Sequence, residues 1–144
     1  MLSSELERFV AEDLGEWDDS SRLVPETPTR AAIIAKEDCI ISGLAEAKEI
    51  LDYFGLDCES LYDDGEFVPG GSRVLCISGS ARAILQAERL TLNFLARMSD
   101  ISTITRECVL SAGGAVRIAA TRKTTPGFRA FEKKAVFLGG GDRH

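Results

Sequence analysis

The sequence is short of the residues that metal sites and catalytic triads need. Its one histidine, His144, is the final residue, so no Ser-His-Asp arrangement is predicted. The cysteines are scattered and form no CxxC pair; they are Cys39, Cys58, Cys76 and Cys108. Because structural zinc sites take closely spaced Cys and His ligands, we expect no zinc site.

Long apolar runs are also missing. No run approaches the roughly 18 residues of a membrane-spanning helix. The acidic start, "MLSSELERFVAEDLGEW", lacks the apolar core of a signal peptide. We therefore predict a cytoplasmic protein that binds no membrane and keeps reduced, mostly packed thiols. Internal repeats, a Walker loop and a dinucleotide-binding fingerprint are absent as well.

Charge is distributed unevenly along the 144 residues. The net charge of -6 argues against a general nucleic-acid binder. Residues 113–144 nevertheless carry seven basic and only two acidic side chains, a net charge of +5. This split favours an anion-binding site near the C-terminal end. The apolar content of 44% is enough for one compact domain with a core.

The first half of the chain mixes helical and strand patterns. A capping box at Ser4 to Glu7 predicts a helix that ends at Gly15. Residues 30–42 are apolar and branched enough for a strand. A helix is predicted from Ser42 to Gly55, with its apolar residues on one face. Two or three short strands, of which "RVLCIS" is the strongest, should follow before Ser80.

The second half has a different pattern. Ser80 is predicted to cap a long helical segment that ends at Gly113 and Gly114, as one helix or as two separated near Ser99-Asp100. "AVRIAATRK" then predicts a strand, "TTPGFR" a turn, and "AFEKKAVFLGGG" a short helix or further loop. The sequence GGG is typical of a flexible loop, although its N–H groups could also bind an anion.

Two groups of basic side chains are candidates for anion binding. The long helix places a set of polar residues on one face at spacings of 4, 3, 4 and 4: Arg82, Gln86, Arg89, Asn93 and Arg97. This face is either solvated or presents an arginine to an anion. Arg122 and Lys123 form the second group, at the predicted end of a strand. They are either surface cations or neighbours that an anion must compensate.

The segments together resemble the quinolinate phosphoribosyltransferase family, also called nicotinate-nucleotide pyrophosphorylase (carboxylating). The resemblance is carried by "EDLGEWDDSS", "ERLTLNFLARMSDISTIT", "TRKTTPGFRAFEKKAVFLGGGDRH" and their order. It covers nearly the whole chain. It implies an α+β N-terminal sandwich domain over residues 1–106, followed over residues 107–144 by the opening strand and loop of an incomplete α/β (TIM-like) barrel. Since family members are roughly twice as long, we expect an N-terminal fragment that is inactive alone.

The resemblance also implies roles for particular residues. Arg89 matches an arginine that enters the neighbouring subunit's site, so a homodimer is expected. Arg122 matches a ligand of a quinolinate carboxylate, and Lys123 matches a lysine near phosphoribosyl pyrophosphate. His144 matches the histidine beside the quinolinate, and Thr121 should line the same pocket. No catalytic nucleophile is implied.

The implied reaction is phosphoribosyl transfer from phosphoribosyl pyrophosphate to quinolinate with decarboxylation, which serves NAD biosynthesis. The resemblance implies Mg²⁺ as a companion of the pyrophosphate, held by no residue identifiable in this chain. Two alternatives remain open at this point. One is a nicotinate phosphoribosyltransferase or a molybdenum-transport-associated paralogue of the same fold, and the other is a non-catalytic dimerisation or binding module.

Overall fold

A computed structural model describes residues 1–15 and 23–143. Within these residues the chain forms a small α+β domain, as predicted. Its helices are α1 (Ser3–Leu14), α2 (Leu44–Tyr53), α3 (Ala81–Ala112) and α4 (Arg129–Leu138). Its strands are β1 (Pro28–Ile34), β2 (Cys39–Ile40), β3 (Asp57–Ser60), β4 (Phe67–Val68) and β5 (Arg73–Ser80).

The main sheet is antiparallel and has three strands in the order β1-β5-β3. In the central strand, Ile77 lies opposite Ala31 of β1 and Cys58 of β3. Side chains alternate across a strand, so these three residues share one face. All three lie in or against the hydrophobic core. The predicted strand over residues 30–42 forms as two strands, because a turn separates β1 from β2, and β2 pairs with β4 in a second small sheet.

Helices α1, α2 and α3 supply most of the remaining core residues, and α4 adds Phe131 and Ala135. Their most deeply buried apolar side chains include Val10, Ala47, Ile50, Leu51, Phe94, Leu95 and Met98. These residues recur at helical spacing within each element, so each helix buries one face. Full burial of a side chain of this size contributes about 1.5–3 kcal/mol. The core is therefore built mainly between the helices and one face of the main sheet.

Helices α1 and α3 end at the predicted glycines, but they do not begin with the predicted capping hydrogen bonds. Gly15, at φ 57°, ends α1, and Gly113, at φ 55°, ends α3. The capping box predicted at Ser4 is wrong, because α1 begins at Ser3 and its N-cap is Leu2, two residues before Ser4. There the Leu2 N–H donates to Glu5 Oε2 over 3.2 Å. Ser80 does precede α3, but its side chain makes no capping hydrogen bond.

Helix α3 runs without interruption through Ser99-Asp100. Ser99 Oγ accepts from the Ser42 N–H at 3.0 Å and donates to the Ser42 carbonyl at 3.2 Å. Because its hydroxyl bonds to another element, it does not compete with the helix backbone. Residue 106, the predicted domain boundary, lies inside this helix; the boundary itself stays a prediction.

The strand predicted for "AVRIAATRK" does not form among the described residues. Only an isolated parallel bridge joins Ala119 to Asp142. The Ala120 N–H donates to the Asp142 carbonyl at 2.9 Å, and the Asp142 N–H donates to the Ile118 carbonyl at 2.8 Å. A strand needs a longer ladder than one residue of a neighbour can supply. The segment makes no pairing with the main sheet in the described part of the chain.

The cysteines are unpaired and mostly packed, as expected from the sequence. All four cysteines are free; Cys39, Cys58 and Cys76 are half-buried and Cys108 is exposed. Burial is the main cause that raises the pKa of Cys39 and of Cys58, which keeps these thiols protonated. None of the helices in residues 1–15 and 23–143 combines the length and apolar character needed to cross a membrane.

The glycine run after α4 packs tightly against α3. A Cβ atom at Gly139 would lie 2.5 Å from the Ser102 carbonyl oxygen and 2.7 Å from Thr105 Cβ. A Cβ atom at Gly141 would lie 2.8 Å from Val136 Cγ1. Only glycine permits this approach. The run therefore docks one helix on another and is not a free loop.

We expect Gly139→Ala to lower the free energy of unfolding by about 1–3 kcal/mol, since backbone atoms of α3 would have to move. Gly139 has φ -71°, so the cost is overlap and not backbone strain. Gly114→Ala is the matched control, because Gly114 has φ 80° and no atom within 4 Å of the added Cβ. Urea unfolding of both variants measures the difference. A smaller loss for Gly139→Ala than for the control would contradict this packing.

Candidate functional site

The candidate site residues Thr121, Arg122 and Lys123 lie in the loop between the Ala119 bridge and α4. The loop folds on itself through local bonds. Thr121 Oγ1 accepts from the Lys123 N–H at 3.1 Å, and the Arg122 carbonyl accepts from the Thr124 N–H at 3.1 Å. These bonds turn the backbone between Thr121 and Thr124. All three candidate side chains are exposed.

A buried carboxylate on α4 holds the next part of this loop. Glu132 Oε2 accepts from the Thr125 N–H at 3.1 Å, and Oε1 accepts from Thr125 Oγ1 at 2.7 Å. Arg97 of α3 donates to the same Oε1 over 2.8 Å. Burial opposes the charge, but the hydrogen bonds from Arg97 and Thr125 outweigh it, so the pKa of Glu132 lies below its usual value. The carboxylate therefore stays ionised at neutral pH.

An aromatic cluster holds the end of the loop. The ring of Phe128 lies 5.0 Å from that of Phe94 on α3 and 4.8 Å from that of Phe131 on α4. Phe9 of α1 completes the cluster, with its ring 6.3 Å from Phe128. Rings at these separations stabilise by about 0.5–1.5 kcal/mol per pair beyond their burial. The Pro-Gly turn is thus fixed to three helices.

Several cations of the basic segment are neutralised within the chain. Lys134 lies 2.8 Å from Glu46 and 3.3 Å from Asp64. Burial would lower the pKa of Lys134, but the two carboxylates outweigh burial and raise it. Arg117 pairs with Asp142 at 2.7 Å. The +5 charge is therefore not spread evenly over the segment, since these two cations already have partners.

Arg122 and Lys123 differ from these paired cations. Within residues 1–15 and 23–143, neither forms an ion pair. They are adjacent in the chain and both exposed on a braced loop. Their mutual repulsion has no acidic partner to offset it here, so a bound anion would stabilise them both. The predicted strand end is missing from the described residues, and the anion-binding role of the two cations stays a prediction.

Arg89 lies on α3 and is not joined to that loop. Its Nη1 donates to the Asp13 carbonyl at 3.3 Å and lies 3.7 Å from Asp13 Oδ1. Its side chain is 68% exposed. No hydrogen bond or ion pair in the described part of the chain connects Arg89 with Arg122 or Lys123. The structure brings Thr121, Arg122 and Lys123 together and leaves Arg89 apart.

The face predicted on α3 is not simply solvated. Arg82 donates to the Val24 carbonyl at 3.0 Å and pairs with Glu26 at 2.9 Å, and Arg97 binds Glu132. Sequence reasoning found the position of Arg97 but missed Glu132 as its partner. The available signal was that Glu132 is one of only two acids in the basic segment.

The remaining candidates give two outcomes. His144 lies outside the described residues. The anion role considered for the GGG run is wrong, because its N–H groups are already used. Those of Gly139, Gly140 and Gly141 donate to the carbonyls of Ala135, Phe137 and Val136 at 3.0, 3.0 and 2.9 Å. None of these donors is available to a ligand.

Comparison with known proteins places this geometry in a family. The family model "Quinolinate phosphoribosyl transferase, N-terminal domain" matches residues 19–99. The model "Quinolinate phosphoribosyl transferase, C-terminal domain" matches residues 101–144. The second match contains Thr121, Arg122 and Lys123, and the first contains Arg89.

Individual relatives agree with both models. A probable nicotinate-nucleotide pyrophosphorylase [carboxylating] of Methanothermobacter thermautotrophicus is 38% identical over 96% of this chain and 52% of its own length. The probable enzyme of the same name from Bacillus subtilis is 37% identical over 99% of this chain and 51% of its own. The crystal structure of nicotinate-nucleotide pyrophosphorylase from Ehrlichia chaffeensis superposes with a TM-score of 0.92 at 30% identity, over 99% of this chain and 54% of that one.

The chain thus spans about half the length of the curated relatives it matches. The two family models nevertheless follow each other along it in order and together cover residues 19–99 and 101–144. On these matches, the chain belongs to the quinolinate phosphoribosyl transferase family.

Proposed function

We propose that the protein carrying this chain transfers the phosphoribosyl group of phosphoribosyl pyrophosphate to quinolinate, with loss of one carboxyl group as carbon dioxide. The products are nicotinate mononucleotide and pyrophosphate. The observation that carries the proposal is the exposed Arg122-Lys123 pair, which has no acidic partner in the described residues and sits on a braced loop. Family membership and the names of the relatives support the choice of substrates.

The two cations suit two different parts of the substrates. Quinolinate is a dianion, and a planar guanidinium can donate two parallel hydrogen bonds to one carboxylate. We assign that contact to Arg122. Lys123 presents a compact point charge, which suits the phosphate oxygens of phosphoribosyl pyrophosphate. Thr121 shapes the turn that places both, through its bond to the Lys123 N–H. His144 is assigned to the quinolinate side of the site on the family resemblance alone.

The reaction asks the protein for charge stabilisation and not for a covalent nucleophile. The pyridine nitrogen forms a bond to the anomeric carbon while the bond to pyrophosphate breaks. The leaving pyrophosphate carries away the bonding electrons, and positive groups such as Lys123 stabilise the charge that develops on it. The carbon–carbon bond to the carboxylate next to the ring nitrogen then breaks and carbon dioxide leaves. The bonding electrons stay on the ring carbon beside the positively charged nitrogen, and a proton from water replaces the lost carboxyl group. A concentrated cationic surface on an otherwise acidic chain fits this need.

Magnesium enters the proposal only as a companion of the pyrophosphate group. The side chains nearest to the proposed phosphate contact are basic and would repel a divalent cation. In the described part of the chain, no group of three or more His, Cys, Asp or Glu side chains converges on one point. These residues therefore do not fit a magnesium site held by protein ligands, and we route no step through the ion.

The proposal also covers the oligomeric state, the second domain and the cellular location of the protein. We assign Arg89 to the site of a second subunit in a homodimer, because its side chain is exposed and makes no contact with the Arg122 loop. It lies in a shallow depression on α3 beside the half-exposed Leu85 and Leu92. We also propose that residues 107–144 open an α/β barrel, and that the protein works in the cytoplasm.

The first test separates the two cations and uses the complete gene product. Arg122→Lys keeps the positive charge but loses the planar guanidinium that can donate two parallel hydrogen bonds, so quinolinate binding should weaken clearly. Loss of a charge-assisted contact to a bound anion costs about 2–5 kcal/mol. Lys123→Ala should weaken phosphoribosyl pyrophosphate binding more than quinolinate binding. Calorimetric titration of both ligands into both variants measures these differences.

Nicotinate, which lacks the second carboxylate, is the control ligand for that titration. It should bind the unmodified protein more weakly than quinolinate does. Equal weakening of both ligands in both variants would mean a diffuse electrostatic field and not two assigned contacts. Tighter binding of nicotinate than of quinolinate would replace the proposed substrate.

The second test concerns the shared site. Arg89→Ala and Arg122→Ala subunits should each form inactive or weakly active homodimers. Mixed dimers should recover part of the activity, because one of their two sites combines an intact Arg89 with an intact Arg122. Activity after co-refolding of the two variants measures this recovery. Absence of recovery in verified mixed dimers would show that each subunit builds its site alone.

A further inference from the structure

Glu132 is the one buried acid of the basic segment, and neither of its oxygens is free. It is 8% exposed, and its carboxylate receives three hydrogen bonds from two residues. The other acid of the basic segment, Asp142, is more exposed and binds Arg117 outside this cluster. An ionised carboxylate is costly to bury unless it is fully hydrogen-bonded. The hydrogen bonds of Glu132 therefore hold Arg97 and Thr125 in fixed positions.

The two residues that donate these bonds come from different parts of the chain. Arg97 lies on α3, 35 residues before Glu132, and Thr125 lies in the loop, seven residues before it. Thr125 contributes both its backbone N–H and its hydroxyl. Between Lys123 and Thr125, the Thr124 N–H donates to the Arg122 carbonyl, and Thr124 Oγ1 accepts from the exposed Arg129 at the start of α4. Thr125 is thus the first residue after Lys123 that is bonded to a buried side chain of the folded domain.

We propose that Glu132 is a positioning residue for the anion site. Through Thr125 it fixes the backbone that carries Arg122 and Lys123, so substrate affinity depends on a carboxylate that does not touch substrate. This rests on the proposed function of that loop. Without the carboxylate, the loop keeps the Ala120 bond to Asp142 on one side of the cations, and its local turn, the bond from the exposed Arg129 and the Phe128 anchor on the other. The two cations would then sample many positions, and each binding event would have to order them again.

A plain helix-to-helix brace is the competing account of the same contacts. In that account the Arg97 bond to Glu132 joins α3 to α4, and the bonds to Thr125 add nothing to ligand binding. The two accounts differ over Thr125, which belongs to neither helix. They also differ over Glu46, whose carboxylate bonds Lys134 of α4 at 2.8 and 2.9 Å and has no bond to the loop.

The experiment measures quinolinate affinity and thermal stability in the complete gene product. Glu132→Gln retains one acceptor oxygen for three donors, and Thr125→Val removes the hydroxyl while keeping the N–H. Each should weaken quinolinate binding roughly tenfold, which corresponds to about the loss of one hydrogen bond to a charged group. Thr125→Ser keeps both donors and should bind like the unmodified protein. Glu46→Gln, the matched control, should lower the melting temperature and leave the affinity unchanged.

The double variant Glu132→Gln/Thr125→Val gives the sharpest readout. Because both changes break the same contact, its loss of affinity should be smaller than the product of the two single losses. Unchanged affinity in Thr125→Val, or an equal loss in Glu46→Gln, would overturn the positioning role. The proposed function fails separately, and is recognised by an Arg122→Ala variant that binds quinolinate as well as the unmodified protein. If Glu132→Gln does not fold, Thr125→Val and its Thr125→Ser control still decide the question.

Discussion

The unbroken helix α3 is the element on which both parts of the chain depend. At 1.5 Å per residue, its 32 residues extend over roughly 48 Å. Its first half buries Phe94 and Met98 in the core of the sheet domain. Its second half receives α4, since Ser102 Oγ donates to the Ala135 carbonyl at 2.8 Å and Arg106 donates to the Gly139 carbonyl at 2.9 Å. A break in the middle of α3 would disconnect α4 and the Arg122 loop from the core of the sheet domain.

The acids of the chain determine which cations remain available. Glu46 and Asp64, from the N-terminal part, neutralise Lys134, and Glu132 neutralises Arg97. Both interactions also fix α4 to the rest of the domain. The charge that is left without an acidic partner in the described residues includes Arg122 and Lys123, on the loop that these contacts surround. An acidic protein can in this way present a strong positive charge at one place.

Local signals in the sequence were sufficient for most helices and strands. Ser80 and Gly113 bound α3 as predicted, and the apolar spacing identified α2 and its buried face. Capping at Ser4 failed because two start positions compete, and the Glu5 carboxylate reaches the Leu2 N–H. Such a choice depends on the approach of the chain to the helix, which local pattern does not encode.

The missed features all depend on distant contacts. The strand predicted at residues 115–123 has the right composition, but a strand forms only beside a partner, and Asp142 alone provides one here. Sequence reasoning gave Glu132 no role, because its partners are 7 and 35 residues away. The GGG run looked like a flexible loop, and only the approach of Thr105 reveals it as a packing contact. Arg122 and Lys123 could be proposed from the sequence because they are adjacent in its most basic segment, and Thr121 was proposed on the family resemblance; their roles stay predictions.

The central claim is that this loop serves a decarboxylating phosphoribosyl transfer to quinolinate. The most direct measurement supplies the complete gene product with quinolinate labelled in the carboxyl group next to the ring nitrogen, together with phosphoribosyl pyrophosphate. The account predicts release of labelled carbon dioxide in step with nicotinate mononucleotide, and none when either substrate is omitted or when Arg122 is changed to alanine. Formation of nicotinate mononucleotide from nicotinate alone, with no carbon dioxide released from quinolinate, would contradict it.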